Sequence, residues 1–131
     1  MHRSRIGVVL VDHPAEGYDQ AAAFWASATG SERANGPDGP PDDDPYEALD
    51  SLGGDLKLEL QRTGPGTPPR VHLDIETDDV AAEIARLVAL GASVVEERSG
   101  YQVLADPGGL LFCVVPVQTD GFHESAVTWL R

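Results

Sequence analysis

The chain has 131 residues, and its 22 acidic against 9 basic side chains give a net charge of −13. A domain of this size buries enough surface to fold without staples. Its single cysteine, Cys113, excludes an intramolecular disulfide. The acidic balance excludes binding to a nucleic-acid backbone, where Lys and Arg supply the attraction, and it suits a cationic ligand instead. No stretch is long enough to span a bilayer, so no membrane partner is expected. The apolar run Ile6–Val11, behind Arg3 and Arg5, is too short for a signal-peptide core and lacks a cleavage site. The expected compartment is the cytoplasm.

In chain order, residues 5–11 read as a buried-type strand broken by Asp12-His13-Pro14. Tyr18, Ala21, Ala22, Phe24, Trp25 and Ala28 recur at helical spacing up to Gly30, with Phe24 and Trp25 expected in the core. Residues 35–45 carry four prolines and three consecutive aspartates, which makes them a loop, and nothing in the sequence gives those aspartates a common target. Tyr46–Leu49 reads as a short strand and Asp55–Arg62 as a long one, separated by Gly53-Gly54. Residues 63–69, rich in Gly and Pro, form a linker.

A second strand-then-helix unit begins at Arg70. Arg70–Asp78 alternates as a strand, and the following helix places Val80, Ile84, Leu87 and Val88 on one face with Glu83 and Arg86 off it. Asp78 or Asp79 caps that helix and Gly91 ends it. Strands follow at Ser93–Glu97, Tyr101–Leu104 and Leu110–Val115, with turns at Ser99-Gly100 and Asp106-Pro107-Gly108-Gly109. The tail, 117–131, holds Phe122, Val127, Trp129 and Leu130, which should dock on the fold rather than stand in water. The chain thus states one plan twice, in modules 5–62 and 70–116, and a ligand site is to be sought at the seam between them.

Strand alternation sorts the polar residues. Val71, Leu73 and Ile75 share one face, and His72, Asp74 and Glu76 share the other. Leu56, Leu58 and Leu60 share a face opposite Lys57, Glu59 and Gln61. The ordinary reading of such rows is a solvated sheet face. If the two polar rows line one cavity, its wall holds Glu59, Gln61, His72 and Asp74, a set suited to metal ligation or general-base chemistry.

The repeated plan, together with Val71-His72-Leu73-Asp74-Ile75-Glu76, Leu90-Gly91-Ala92 and Tyr101-Gln102-Val103-Leu104-Ala105-Asp106-Pro107-Gly108-Gly109, resembles the vicinal oxygen chelate superfamily. Within it, the chain resembles the glyoxalase-like and bleomycin-resistance-like proteins, over residues 5 to about 116, and the tail's Trp129 is in keeping with that group. The resemblance implies an α+β fold of two βαβββ modules around a shared cleft, in one domain spanning 1–131, paired as a homodimer. It also implies metal ligands on the first and last strands of each half. His72 matches one such position and Glu59 a second, with a one-residue ambiguity towards Leu58. Ile6 or Gly7 stands at the third and Cys113, which on its own reads as a small core residue, at the fourth. The set is therefore incomplete for a hard cation.

The resulting expectation is a protein that binds a small organic molecule, a cationic one suiting its acidic balance, without a resident cofactor. Tyr46, Glu59, Gln61, His72, Asp74, Tyr101, Cys113 and Trp129 would line its pocket, with Phe122 helping to close it. One alternative is a lyase, isomerase or dioxygenase with Zn, Ni, Mn or Fe on Glu59 and His72. Another is a metal-free enzyme with His72 as catalytic base, oriented by Glu59 or Asp74.

Overall fold

A computed structural model describes the chain apart from residues 34, 35, 37, 38, 42, 43, 54 and 131, and residues 50–53 by backbone alone. Five of the eleven residues of the acidic tract at 35–45, Asp38, Asp42 and Asp43 among them, thus lie outside the described residues. The first module comprises β1 (His2–Pro14), α1 (Tyr18–Thr29), β2 (Tyr46–Gly53) and β3 (Leu56–Thr63). The second comprises β4 (Arg70–Thr77), α2 (Val80–Ala89), β5 (Ser93–Arg98), β6 (Tyr101–Ala105) and β7 (Leu111–Pro116). A short helix, α3 (Phe122–Ser125), and a terminal strand, β8 (Val127–Trp129), complete the chain. Among the described residues, module one has two strands after its helix where module two has three.

All strands join one sheet in the order β2-β3-β1-β4-β7-β6-β5, with β8 paired to the start of β1. The modules meet where β1 runs antiparallel to β4, and the register shifts between Ile6 and Val8. β1 lies parallel to β3, and β4 parallel to β7. The sheet curls, so that Tyr46 on β2 reaches Tyr101 on β6. The mixed α+β architecture implied by the resemblance is therefore present.

Each helix covers its own part of the outer face. Under α1, Tyr18 and Ala22 pack with Leu60, Val11 and Leu49. Under α2, Val80, Ile84 and Leu87 pack on Leu73, Ile75, Leu104, Phe112 and Val114. Gly30 closes α1 in the left-handed region at φ 71, a conformation that favours glycine. Asp79 is the residue that caps α2, accepting from the Ala82 N–H.

Three expectations about packing are corrected. Phe24 and Trp25 are 62% and 38% exposed rather than in the core, since only the Tyr18–Ala22–Ala26 stripe of α1 meets the sheet. Glu83 is fully buried: its carboxylate accepts 2.8 Å bonds from Arg86 and lies 2.8 Å from His2 Nε2, partners that compensate the burial. Strand β1 begins at His2, earlier than apolar patterning suggests, because β8 and Glu83 give its polar start partners.

Candidate functional site

The inner face of the sheet carries the site. In β4 the nominally polar row is the buried one: His72, Asp74 and Glu76 are buried, while Val71 is exposed and Leu73 and Ile75 are only partly covered. The solvated-face reading of that row is thus overturned. The curled sheet folds this row inward, and polar partners make the burial tolerable at its two ends.

At one end, Asp12 is fully buried at the close of β1, and its Oδ2 lies 2.7 Å from His72 Nδ1. Arg70 Nε donates to the same oxygen at 3.1 Å. A carboxylate accepts only, so Nδ1 carries the hydrogen in this pair and a neutral ring has its lone pair on Nε2. Nε2 lies 3.7 Å from Asp74 Oδ1. At the other end, the Glu76 carboxylate accepts from Arg5 Nε at 2.7 Å and from the Gln118 and Thr119 N–H groups at 2.7 and 2.9 Å. Thr119 Oγ1 also donates to it. A Cβ at Gly7 would stand 2.5 Å from the Glu76 carboxyl carbon, so the glycine is required by this close approach.

Between these ends, two chambers share Tyr46, His72, Tyr101 and Cys113 as walls. One, of about 310 Å³, adds Glu59, Asp74, Val115 and Gln118. The other, of about 170 Å³, adds Gln61, Arg70, Glu96 and Arg98 among its lining. The fold therefore brings Tyr46, Glu59, Gln61, His72, Asp74, Tyr101 and Cys113 around one cavity. Trp129 and Phe122 are elsewhere. Trp129 Nε1 donates to Ser4 Oγ at 2.8 Å and its ring lies under Arg86, while Phe122 is fully buried with Arg3 over its ring. The tail docks as expected through these two, but against β1 and α2 rather than over the cavity; Val127 and Leu130 stay exposed.

Electrostatics distinguish the groups in this cavity. Burial, opposed in part by His72 and reinforced by Glu59, Asp12 and Glu76, pushes Asp74 up to about 6. Burial likewise raises Glu59, against the pull of Lys57. Burial and then the carboxylates of Asp74 and Asp12 push the Cys113 thiol up to about 12, so it is a protonated wall group rather than a nucleophile. Cys113 is also only partly buried and lines the cavity, which corrects its reading as a core residue. Enclosure, followed by the charge and hydrogen bond of Tyr101, raises the Tyr46 phenol, to which Gln61 Nε2 donates at 3.3 Å.

The four-position metal set implied by the resemblance does not assemble. Ile6 points away at 44% exposure, and the Glu76 carboxylate fills the space over Gly7. Strand pairing also removes the equivalence of Glu59 and Cys113. If Ile6 matches His72, then Val8 matches Asp74, and their neighbours Lys57 and Cys113 correspond; starting from Gly7 gives Leu58. Glu59 lines the cavity, but the ligand atoms that converge within 4.8 Å belong to His72, Asp74 and Cys113. That nitrogen, oxygen and sulfur set would suit zinc rather than a hard cation, with Asp12 orienting the imidazole.

Sequence reasoning missed Asp12, Arg70 and Arg98. Asp12 precedes His13-Pro14 and reads as a strand break. Its only signal is that it continues the alternation Val8, Leu10, Asp12 on the buried face.

Comparison with known proteins agrees with this architecture. Residues 8–115 match the family described as Glyoxalase-like domain. No curated protein sequence matches the chain. Among solved structures, a methylmalonyl-CoA epimerase from Mycobacterium tuberculosis is 17% identical, with a TM-score of 0.58 over 86% of this chain and 88% of that one. A Mn(II)-bound glyoxalase from Novosphingobium aromaticivorans is 23% identical, with a TM-score of 0.61 over 91% of this chain but 41% of that one. A 2,2',3-trihydroxybiphenyl 1,2-dioxygenase from Sphingomonas wittichii is 16% identical, with a TM-score of 0.55 over 90% of this chain and 43% of that one. The chain thus spans less than half of the latter two proteins, and at these identities the likeness is one of fold. No helix among the described residues is long and apolar enough to cross a membrane. With its sheet order, its paired modules and a family match covering most of its length, the chain belongs to the glyoxalase-like domain family of the vicinal oxygen chelate superfamily.

Proposed function

We propose that this protein binds a small organic molecule in the cavity between its modules, without the four-ligand metal site of metal-using relatives. The observation that carries this reading is the cavity wall itself. The Tyr46 and Tyr101 rings and Val115 supply apolar surface, and Gln61, the two phenols and His72 Nε2 supply a few oriented polar groups. That combination is the usual make-up of a small-molecule site. The unneutralised carboxylates of Asp74 and Glu59 favour a ligand bearing a cationic nitrogen.

The test joins a thermal-shift screen of small amines and uncharged aromatics with elemental analysis of protein purified without chelating resin. Compounds should raise Tm in the wild type and lose that effect in Tyr101→Ala and His72→Ala. A stoichiometric Zn, Ni, Mn or Fe content that disappears in His72→Ala would overturn the metal-independent reading in favour of the zinc-type set His72, Asp74 and Cys113.

A second reading is favoured by the 2.7 Å contact between Asp12 and His72 Nδ1. The pair leaves Nε2 as an oriented base facing the cavity, able to take a proton from a bound molecule. Turnover lost in His72→Ala and reduced in Asp12→Asn, in protein without metal, would establish it.

The proposal extends to a cytoplasmic location, carried over from the sequence reading, and to pairing of two copies, carried over from the resemblance. The exposed Phe24, Trp25 and Val71 are apolar surface that pairing would cover. Sedimentation of the wild type against Trp25→Asp tests this.

A further inference from the structure

Around the cavity Arg70 and Arg98 are separated from Asp74 and Glu59, and the one carboxylate among the described residues of the arginines' chamber, Glu96, is paired to Arg98. The inward row of β4 reads Arg70, His72, Asp74. Arg70 and Arg98 line only the smaller chamber, and Asp74 and Glu59 line only the larger one, with His72 at the junction. At the rise of a strand, Arg70 and Asp74 are about 13 Å apart along the backbone.

The two ends also differ in how their charges are satisfied. Asp74 is 8% exposed and accepts no hydrogen bond among those made by the described residues; His72 Nε2 stands 3.7 Å from its Oδ1. A buried carboxylate without a donor is a costly arrangement that a cationic N–H donor would relieve. The arginines sit nearer solvent, at 43% side-chain exposure for Arg70 and 49% for Arg98. Each spends one nitrogen on an acid, Arg70 Nε on Asp12 and Arg98 Nη2 on Glu96. A guanidinium has five N–H donors, so each keeps others for a carboxylate.

We infer that the ligand is dipolar, with a primary or secondary ammonium seated against Asp74 and Glu59 in the larger chamber and a carboxylate or similar anion held by Arg70 and Arg98 in the smaller one. This rests on the proposed cavity binding and adds the ligand class. His72 lies between the charged groups, where it meets the middle of the molecule rather than either end. The tyrosine rings flank the same stretch and suit an apolar connecting segment.

The experiment uses straight-chain ω-amino carboxylates of about six to twelve carbons, a range bracketing the strand spacing, with alkylamines and alkanoates of matched length. Calorimetry or ligand-observed NMR measures binding to the purified protein. One amino carboxylate length should bind at least about ten-fold tighter than its matched amine and matched acid, the increment of one good charge-assisted contact. Arg98→Gln should reduce it to the level of the amine, and Asp74→Asn to the level of the acid, with circular dichroism and Tm confirming that both variants fold. If Arg98→Gln has no effect, Arg70→Gln is the second variant, and loss in neither overturns the anionic seat. Amines that bind as tightly as amino carboxylates would also overturn the inference while leaving cavity binding intact. If the screen's own hits bind but no member of this series does, the dipolar class is wrong. If neither the screen nor the series binds, the cavity-binding reading itself fails.

Discussion

Asp74 and Glu76 lie two residues apart on the same buried face of β4, yet they are opposite cases. Burial works against ionised Glu76 too, but Thr119, Arg5 and the N–H groups of Gln118 and Thr119 outweigh it and hold its carboxyl below the usual range. Asp74 has no comparable donors, and burial lifts it to about 6. One strand thus ends in a finished polar network that fixes the tail and, next to it, an unfinished one that opens on a cavity. Structural carboxylates are compensated within the chain, whereas a carboxylate left uncompensated at a cavity wall is a place for a ligand.

The largest effect should come from breaking the finished network. Glu76→Ala removes the carboxylate that neutralises the Arg5 guanidinium and leaves it only neutral partners such as Ser125, Thr119 and the Asp55 carbonyl, and it should cost about 3 kcal/mol in urea unfolding. Gly7→Ala should cost a substantial part of the same amount, because its Cβ displaces that carboxylate. A loss below about 1 kcal/mol for Glu76→Ala, the level of a surface ion pair, would end the comparison.

Asp12→Ala should come next, at about 1–3 kcal/mol, from leaving His72 Nδ1 without its acceptor. The ring-nitrogen shifts of His72 in NMR should change with it, since the tautomer would no longer be fixed.

Asp74→Asn should have the reverse sign. A carboxyl raised in the folded state brings no penalty below its unfolded value, near 3.8, and a full penalty above about 6. The variant should therefore be about 1–2 kcal/mol more stable than wild type at pH 8 and equal to it near pH 3. Glu76, lowered in the folded state, contributes stability above its ordinary value, and that contribution is lost as pH falls through its lowered one. Acid titration should thus relieve the Asp74 end before it damages the Glu76 end. The smallest effect belongs to Phe24→Ser, within about 0.5 kcal/mol for the monomer.

Much of this fold was legible in the sequence. Gly30 and Asp79 mark helix ends, Ser99-Gly100 and Asp106–Gly109 mark turns, and the alternation in β3 and β4 assigns residues to faces correctly. Seven of the eight residues expected around a pocket do line one cavity, Trp129 being the exception. The helix faces were less legible. Glu83 reads as a solvent residue and Phe24 as a core residue, because composition does not say that His2 and Arg86 will neutralise the first or that α1 will turn a different stripe to the sheet and leave the second exposed.

Periodicity determined which residues of β4 stand together, since side chains on a strand alternate whatever surrounds them. Only the tertiary structure decided that the polar row is the buried one, because that depends on the direction in which the sheet curls. It alone placed Asp12 on His72, sixty residues apart in sequence, and closed the tail on Glu76. Local pattern fixes direction along a strand; what lies opposite is set by strand pairing and burial. The lack of a hydrogen-bond donor to Asp74 among the described residues becomes visible only when those partners have been counted.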